Sequence, residues 1–521
     1  MSVQALLFDT RSIQKYIFSG NRLKTNIGAS YIVEHIFDDV LVKEILTDPA
    51  FGLGTVDRES WKTRTEPLRE LPAPCYVAYI GGGNALILFK EEVADCRKAI
   101  VTAFTKALLV RYPGLKTGVA MGPLDLSENF EDAMKKLYGQ LKENQNNVFP
   151  TVNIPYTGLT LPCEVNGEAA DFYDDTHLMV QEGSPRFFSQ EVRAKTAAAA
   201  EANDDLHRRF KDHLKGYQFP MELDRLGQRE TESDIAIIHI DGNQMGKKFS
   251  DCKSLHERGR LSYQVRKNTE DTFAALLDSI VAEYDSYGDF LDLEEGVLPI
   301  RPLILGGDDI TFICPARLAL TYTRRFMMTL NQYFASCAGI AILPTAYPFF
   351  RGYKLAEQAC DAAKIPSRGK KSSNESSKEE SMKSSCWLDF VILHGEQAPK
   401  LDQIRQSEYK GHFGNMHFGP YRVDDDGGAT MPLTQLLSCT RQFTTMPVNK
   451  VKELRFTAQK GKEDIRIYLE QLKHMGLRLP HVDGWERFEE AVWDKKSGAA
   501  AYQTPYVDAI EIMDYFVPEL Q

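Results

Sequence analysis

The stretch Leu303-Ile-Leu-Gly-Gly-Asp-Asp-Ile-Thr-Phe312 decides the fold of this chain. Apolar residues on both sides of a glycine pair predict a β-hairpin with its tight turn at Gly306-Gly307. Asp308 and Asp309 then open the second strand. Because successive strand side chains point to opposite faces, the two aspartates need not act alike. The stretch therefore predicts a hairpin that carries two carboxylates at its tip.

Another aspartate ends an apolar strand upstream, Ile235-Ala-Ile-Ile-His-Ile-Asp241. If the hairpin pairs beside this strand, Asp241 and one or both hairpin aspartates meet at one end of the sheet. Three carboxylates that close repel one another unless a divalent cation neutralises them, and hard oxygen ligands select Mg²⁺ or Mn²⁺. The pattern therefore predicts a two-metal catalytic site formed by Asp241, Asp308 and Asp309, suited to nucleotidyl transfer. The alternative is that both motifs are only polar turns.

Residues near these aspartates are candidates for nucleotide binding. Gly242 lets a backbone or a phosphate approach closely where the chain bends. Lys364 ends an Ala-rich helix and is a candidate for the β- and γ-phosphates, with a solvated helix-terminal cation as the alternative. Asn243 is a weaker candidate, since a turn residue is the favoured interpretation. His239 is interpreted as a packed histidine rather than a general base.

The same order of features occurs twice along the chain. The strand aspartate precedes the glycine hairpin by 72 residues in the first copy and by 65 in the second, counting from Asp9 to Gly81 and from Asp241 to Gly306. A strand with a glycine and a helix then follow in both copies, at Thr117–Ala120 with 133–142 and at Ala338–Ala341 with 355–364. This order predicts an α+β fold with two ferredoxin-like palm domains, together with a helical insert and a helical C-terminal domain.

The first copy has Gly81-Gly-Gly-Asn84 where the second has two carboxylates. We therefore expect the first copy to be catalytically silent and to supply a wall or a second nucleotide pocket. The predicted domains are a degenerate palm over 1–150, a mostly helical region over 151–232, an active palm over 233–398 with a disordered loop at 371–385, and a helical domain over 399–521.

Composition narrows the class of protein. The chain has 62 Lys+Arg and 73 Asp+Glu among its 521 residues, a net charge of −11 that argues against general coating of nucleic acid. Nine cysteines occur singly, without a CxxC pair, which predicts reduced cytosolic thiols. The N-terminus lacks a basic signal-peptide region, and no apolar run approaches the roughly 18 residues of a spanning helix. The sequence therefore predicts a cytoplasmic protein without a membrane segment.

Taken together, these residues resemble the large polymerase–cyclase subunit of type III CRISPR interference complexes. The matching segments are Asp9–Phe18, Leu23–Glu34, Gly81–Asn84, Asp241–Gly246, Gly306–Asp309, Ala356–Lys364 and Phe418–Tyr421. The chain departs from that family in three ways. It begins in the palm rather than in a histidine–aspartate nuclease domain, it has only Cys163 where the family has inter-palm zinc cysteines, and it is short.

The resemblance implies that two ATP molecules bind between the palms and are joined 3′ to 5′ into cyclic oligoadenylates, which alert a downstream antiviral effector. It implies metal ligands at Asp241, Asp308 and Asp309, a nucleotide pocket shaped by Gly306 and Gly307, and phosphate contacts from Lys364. Protein subunits of the CRISPR type and a guide or target RNA are the implied partners, and a two-nucleotide ring is as plausible as a longer one. The alternative is a non-catalytic scaffold subunit of an RNA-guided complex.

Overall fold

The computed structural model describes residues 2–126, 130–146, 156–174, 187–229, 232–367, 385–395, 400–424, 431–495 and 502–520, so the loop expected at 371–385 lies outside the described residues except for Ser385. The described chain is a mixed α+β protein, as predicted. It divides into two compact units. The first unit comprises residues 1–222, 244–281 and 302–310, and the second comprises 223–243, 282–301 and 311–521.

The strands are numbered in chain order. They are β1 Ser2–Arg11, β2 Val56–Asp57, β3 Cys75–Gly81, β4 Asn84–Phe89, β5 Lys116–Asp125, β6 Phe172–Tyr173, β7 Phe187–Phe188, β8 Asp234–Gly242, β9 Arg301–Gly306, β10 Asp309–Pro315, β11 Ser336–Pro344, β12 Trp387–Ile392, β13 Gly414–Asn415, β14 Tyr421–Arg422, β15 Asp494–Lys495 and β16 Tyr502–Gln503.

The helices that precede residue 368 are numbered in the same way. They are α1 Ile13–Ile17, α2 Leu23–His35 with a π-helix at Ile36–Ile45, α3 Arg97–Arg111, α4 Phe130–Gln145, α5 Gln190–Arg209, α6 Lys211–Leu214, α7 Met245–Ser250, α8 Leu255–Ala282, α9 Ala319–Leu330 and α10 Phe349–Ser367. The helices predicted at 133–142 and 355–364 are confirmed as α4 and α10.

Two sheets carry the repeated part of the chain. The first has the strand order β2-β3-β4-β1-β5, and the second has the order β14-β12-β11-β8-β10-β9. We call β1, β3, β4, β5 and α4 the first repeat, and β8, β9, β10, β11 and α10 the second repeat. In both repeats the last strand lies beside the first strand and the hairpin lies on its other side, which is the ferredoxin-like order that the sequence predicts.

The two strand aspartates are equivalent, but the glycines of the last strands are not. Asp9 lies opposite Gly118 and Asp241 lies opposite Cys337, so the equivalence of Gly118 with Gly339 that the spacing suggests is wrong by two residues. A left-handed residue follows each aspartate by three positions, Ser12 with φ 55° and Gln244 with φ 58°, directly before a short helix. This shared bend supports the alignment of the aspartates.

Helices α2 and α5 pack closely in the first unit. A Cβ atom at Gly28 of α2 would lie 1.7 Å from the carbonyl oxygen of Lys195 in α5, so only glycine fits there. Ser189 caps the start of α5, because its hydroxyl accepts a hydrogen bond from the Val192 N–H at 3.3 Å. Helix α5 is therefore fixed at its start by a cap and along its length by tight packing.

The C-terminal part of the second unit is mainly helical, as predicted. Its described helices are Leu401–Glu408, Leu433–Phe443, Val448–Gln459, Lys462–His474, Glu486–Ala491 and Tyr506–Met513.

A buried polar cluster joins this helical part to β12. His417 Nε2 lies 2.9 Å from Asp389 Oδ1, and His417 Nδ1 lies 3.0 Å from Asp508 Oδ1. The Phe418 N–H and the Tyr421 hydroxyl donate to the other oxygen of Asp508, at 2.8 and 2.6 Å. The Phe-Gly-Pro-Tyr segment singled out in the sequence is thus held by one buried carboxylate on the helix Tyr506–Met513.

Two findings concern the expected cellular environment. All nine cysteines lie in the described part of the chain, and none of them forms a disulfide bond. Among the residues described, none of the helices combines the length and the apolar character that a bilayer crossing requires.

Candidate functional site

The hairpin that decides the fold is shifted by one residue from its predicted geometry. Strand β9 ends at Gly306, the turn consists of Gly307 and Asp308, and β10 begins at Asp309. Gly307 has φ +88°, a conformation that favours glycine. A two-residue turn whose first residue needs a positive φ matches the twist of the strands, which is why the turn forms there and not at Gly306-Gly307. Asp308 is therefore a turn residue.

The first repeat has a two-residue hairpin in the equivalent place, without the carboxylates. Strand β3 ends at Gly81, Gly82 and Gly83 form the turn with φ 59° and 77°, and β4 begins at Asn84. Asn84 occupies the place of Asp309, and Gly83 occupies the place of Asp308. The carbonyl oxygen of Gly83 accepts a hydrogen bond from the backbone N–H of Thr10 at 2.8 Å, so the turn is tied to the end of β1.

Both hairpins line one cavity of about 1200 Å³ within the first unit. Its walls include Gly81–Asn84 from the first hairpin, Gly306–Asp309 from the second, and side chains from α2, α4 and α8. Four of the predicted site residues, Gly306, Gly307, Asp308 and Asp309, thus share a cavity with the first hairpin. The volume exceeds the roughly 300–1,000 Å³ of a usual small-molecule pocket, so it is large enough for a nucleotide.

Helix α8 supports both hairpins. The Thr269 hydroxyl donates to the carbonyl oxygen of Gly307. Ser262 packs so closely on the first hairpin that a Cβ atom at Gly81 would lie 2.5 Å from its hydroxyl oxygen. A side chain at position 81 would therefore displace the Ser262 hydroxyl. The sequence contains no signal for either contact, because they depend on where a 28-residue helix lies.

Most charge in the cavity wall is paired. Arg209 and Arg266 both contact the Glu34 carboxylate, at 2.9 and 2.8 Å, and both also contact Glu270, at 3.4 and 3.1 Å. Burial raises the pKa of Asp38, which also lines the cavity. Arg209 and Arg266 are neutralised by Glu34 and Glu270, so they offer no excess of positive charge to a ligand.

Arg258 is different, because its nearest partners are neutral. Its Nη2 donates to the Tyr138 hydroxyl at 2.7 Å, and the Tyr138 hydroxyl lies 2.9 Å from that of Tyr79. The guanidinium carbon also lies 5.1 Å and 5.5 Å from the centroids of the Tyr138 and Tyr79 rings. Sequence reasoning missed these three residues, since nothing distinguishes Arg258 from the other basic residues before the fold is known.

In the second unit, Asp241 forms an ion pair with Lys364. Lys364 Nζ lies 2.8 Å from Asp241 Oδ2 and 3.4 Å from Asp361 Oδ1. Burial opposes the charge of this ammonium, but nearby groups, including Cys360 and Asp241, outweigh it and raise the pKa of Lys364. In the first repeat the equivalent aspartate, Asp9, has an uncharged partner. The Gln145 amide donates a hydrogen bond to Asp9 Oδ2 at 2.7 Å.

His239 and Asn243 are both held by the protein. His239 is buried, its Nδ1 lies 3.4 Å from the Thr311 hydroxyl, and its ring packs edge-on against Tyr353. Burial lowers the pKa of His239, which agrees with a packed, neutral imidazole. The Asn243 amide donates to the carbonyl oxygen of Ser385 at 3.1 Å, which favours its interpretation as a structural residue after the strand.

The predicted metal site remains a prediction. Asp308 and Asp309 are hard oxygen donors of the type that Mg²⁺ and Mn²⁺ prefer. Within the described residues, however, no group of three or more His, Cys, Asp or Glu side chains is arranged to hold an ion. The chemistry of the donors fits a divalent cation, and any such ion would need further ligands from a substrate.

Comparisons with known proteins find only remote likeness. No protein-family model matches the sequence, and no curated protein matches it. A solved Csm1-Csm4 cassette in complex with cA4 matches 70% of this chain and 52% of that chain, with 14% identity and a TM-score of 0.41. The apo Csm1-Csm4 cassette has the same coverage, with 15% identity and a TM-score of 0.42. The chain thus spans about half the length of the chains that it matches.

Proposed function

We propose that this protein is a metal-dependent nucleotidyltransferase that converts ATP into a cyclic oligo- or dinucleotide second messenger in antiviral defence of the CRISPR type. The observation that carries the proposal is the cavity of about 1200 Å³ in the first unit. It brings the adjacent carboxylates Asp308 and Asp309 to a space lined by two glycine turns. Carboxylates beside flexible, side-chain-free backbone suit a ligand that is rich in phosphate.

The proposed reaction joins nucleotides by displacement at phosphorus. The 3′-oxygen of one ATP attacks the α-phosphorus of another, a new O–P bond forms, and the bond to the pyrophosphate oxygen breaks. The 3′-hydroxyl proton passes to solvent and the pyrophosphate leaves with the electron pair. The same displacement within one linear product, from its 3′-hydroxyl to its own α-phosphorus, closes the ring.

In this proposal Asp241, Asp308 and Asp309 are the catalytic carboxylates and the ligands of two Mg²⁺ or Mn²⁺ ions. When bound, such ions neutralise charge on the phosphates. The protein's own contribution is to bring the carboxylates to fixed strand ends and turns. Asp309 begins a buried strand and Asp241 is the penultimate residue of another, so both are attached to rigid elements rather than to long loops.

The remaining predicted residues have binding roles. Gly242, Gly306 and Gly307 leave the backbone open to a phosphate, and Gly307 also allows the turn to form. Lys364 forms an ion pair with Asp241 and is proposed to contact the β- and γ-phosphates of a bound nucleotide. Asn243 is proposed to shape the adjacent backbone, because its side chain already donates to Ser385.

The test is incubation of the purified protein with ATP and Mg²⁺ or Mn²⁺, with and without candidate RNAs, followed by mass spectrometry of the products. We expect cyclic oligo- or dinucleotides from the wild type and none from Asp308→Ala/Asp309→Ala. Asp212→Ala, an exposed change on α6, is the matched control and should leave the product yield unchanged. The proposal fails if the wild type makes no product under any condition, or if the double variant keeps full activity.

The scaffold alternative predicts a different preparation. A scaffold subunit should co-purify with RNA and with smaller CRISPR-type subunits, and its palm variants should leave that assembly intact. A messenger synthase should make its product and stimulate an effector that senses cyclic nucleotides. Recovery of an RNA-containing assembly without any nucleotide product would favour the scaffold.

A further inference from the structure

We propose that Arg258 binds a phosphate group of the nucleotide that occupies the cavity of the first unit. This inference rests on the proposed function, since it takes the ligand to be a nucleoside triphosphate. It assigns phosphate binding to a residue on α8, outside the glycine hairpins and the carboxylates.

The argument begins with the cations that line the cavity, namely Lys43, Lys62, Lys135, Arg209, Arg258, Arg266 and Lys267. Three lysines are paired with carboxylates on their own elements, Lys43 with Asp39, Lys62 with Glu59 and Lys135 with Glu131. Arg209 and Arg266 share Glu34 and Glu270. In the described part of the chain, Arg258 and Lys267 alone among these seven have no carboxylate oxygen within ion-pair distance.

Arg258 and Lys267 differ in how they are held. Lys267 is exposed, so its ammonium is well hydrated and free to move. Arg258 is half-buried, and its guanidinium is fixed by the Tyr138 hydroxyl and by the faces of the two tyrosine rings. A guanidinium has five N–H donors in a planar fork, and one donor is engaged by Tyr138. The remaining donors are preorganised for an acceptor such as a phosphate.

The location of Arg258 indicates which side of the cavity it serves. Residues four apart lie on the same face of a helix, and Ser262 of the same helix packs against Gly81 of the first hairpin. Tyr79 belongs to β3, the strand that leads into this hairpin, and Tyr138 belongs to α4 of the first repeat. The bound phosphate is therefore assigned to the side of the cavity that the first hairpin lines. Arg258 supplies a cation there, whereas the second hairpin supplies the acidic side chains of the aspartates.

Isothermal titration calorimetry of the full chain with ATP and with adenosine tests this assignment. EDTA is present throughout, so that neither metal nor turnover contributes to the measured affinity. We expect Arg258→Gln to weaken ATP binding about tenfold, the loss typical of a hydrogen bond to a charged group, and to leave adenosine binding unchanged. Arg260→Gln, an exposed residue on the same helix, removes the same charge and should change neither affinity.

Two further variants keep the test decisive if Arg258→Gln unfolds. Arg258→Lys keeps the charge but loses the fork, and Tyr138→Phe keeps the ring but loses the hydroxyl that holds Arg258. Each should weaken ATP binding about threefold at an unchanged melting temperature. Unchanged ATP affinity in folded Arg258 variants, or an equal loss for adenosine, would overturn the assignment. If the wild type binds ATP but makes no product, the proposed function fails, and the comparison of affinities still decides the role of Arg258.

Discussion

In the first repeat, Asp9 accepts a hydrogen bond from the Gln145 amide, whereas in the second repeat Asp241 forms an ion pair with Lys364. Both partners lie near the end of the helix that follows the last strand of the repeat. The backbone geometry is shared, including the left-handed residue after each aspartate. The repeats thus differ in the partner of the strand aspartate, which is an uncharged amide in the first repeat and an ammonium in the second.

The hairpins show the same difference. Gly83 and Asn84 occupy the places of Asp308 and Asp309, so the first hairpin keeps its turn and lacks both carboxylates. A hairpin can therefore retain its fold when the acidic side chains are absent. The two turns also differ in backbone conformation, because Gly82 and Gly83 both have a positive φ, whereas in the second turn Gly307 has one and Asp308 does not.

The largest expected effect concerns the close packing of β11 on α10, which distinguishes the last strand of the second repeat from β5, the last strand of the first. Gly339 in β11 is equivalent to Ala120 in β5, but a Cβ atom at Gly339 would lie 1.9 Å from the carbonyl oxygen of Ala356. Because that oxygen belongs to the backbone of α10, the helix itself must shift. We expect Gly339→Ala to destabilise the second unit by about 3 kcal/mol, measured as a lower urea midpoint at an unchanged slope.

Gly122→Ala in β5 is the matched control for that change. Its Cβ atom would meet the Gln140 side chain at 3.7 Å and the Leu137 side chain at 3.9 Å, which are ordinary contacts. We expect its free energy of unfolding to stay within about 0.5 kcal/mol of that of the wild type. Equal midpoints for the two alanine variants would contradict the closer packing of the second repeat.

The sequence predicted the strands and helices more accurately than the register of the strands. Apolar runs and glycine pairs specify strands and turns, and they predicted β8, both hairpins and α10. Register depends on hydrogen bonds between strands, so the turn was shifted by one residue and Gly339 was aligned with the wrong partner. Arg258 could not be predicted, because its role depends on where α8 packs. The proximity of Lys364 to Asp241 likewise depends on how α10 packs against β8, and the sequence predicts only the helix itself.

A smaller effect, on the rate of the proposed reaction, should follow when Asp241 is given an amide partner like that of Asp9. Lys364→Gln replaces the ammonium with an amide that can still donate to Asp241, as Gln145 does to Asp9. The fold should be retained, but an amide cannot neutralise phosphate charge. We therefore expect the rate of nucleotide synthesis to fall about tenfold, measured as initial pyrophosphate release.

Lys354→Gln, an exposed change on the same helix, is the control and should leave that rate unchanged. A Lys364→Gln variant with the full wild-type rate would favour the other interpretation, in which Lys364 is a solvated cation that only favours the end of α10.

The smallest expected effect is a pH dependence that separates the two aspartates. Burial raises the pKa of Asp9, so its folded-state pKa exceeds its unfolded value of 3.8, although the Gln145 hydrogen bond opposes the shift. For an acid this means that the folded state holds its proton more tightly. The Asp9 contribution therefore favours folding below pH 3.8 and becomes unfavourable as the pH rises through the folded pKa.

Asp9→Asn removes that dependence and still accepts the hydrogen bond from Gln145, so near pH 7 we expect its melting temperature to equal or slightly exceed that of the wild type. Asp241→Asn loses the ion pair with Lys364 and should instead lower the melting temperature. The melting temperatures of both variants are compared with that of the wild type between pH 4 and pH 8. If both variants change the melting temperature in the same direction, the two aspartates do not differ in the way that their partners indicate.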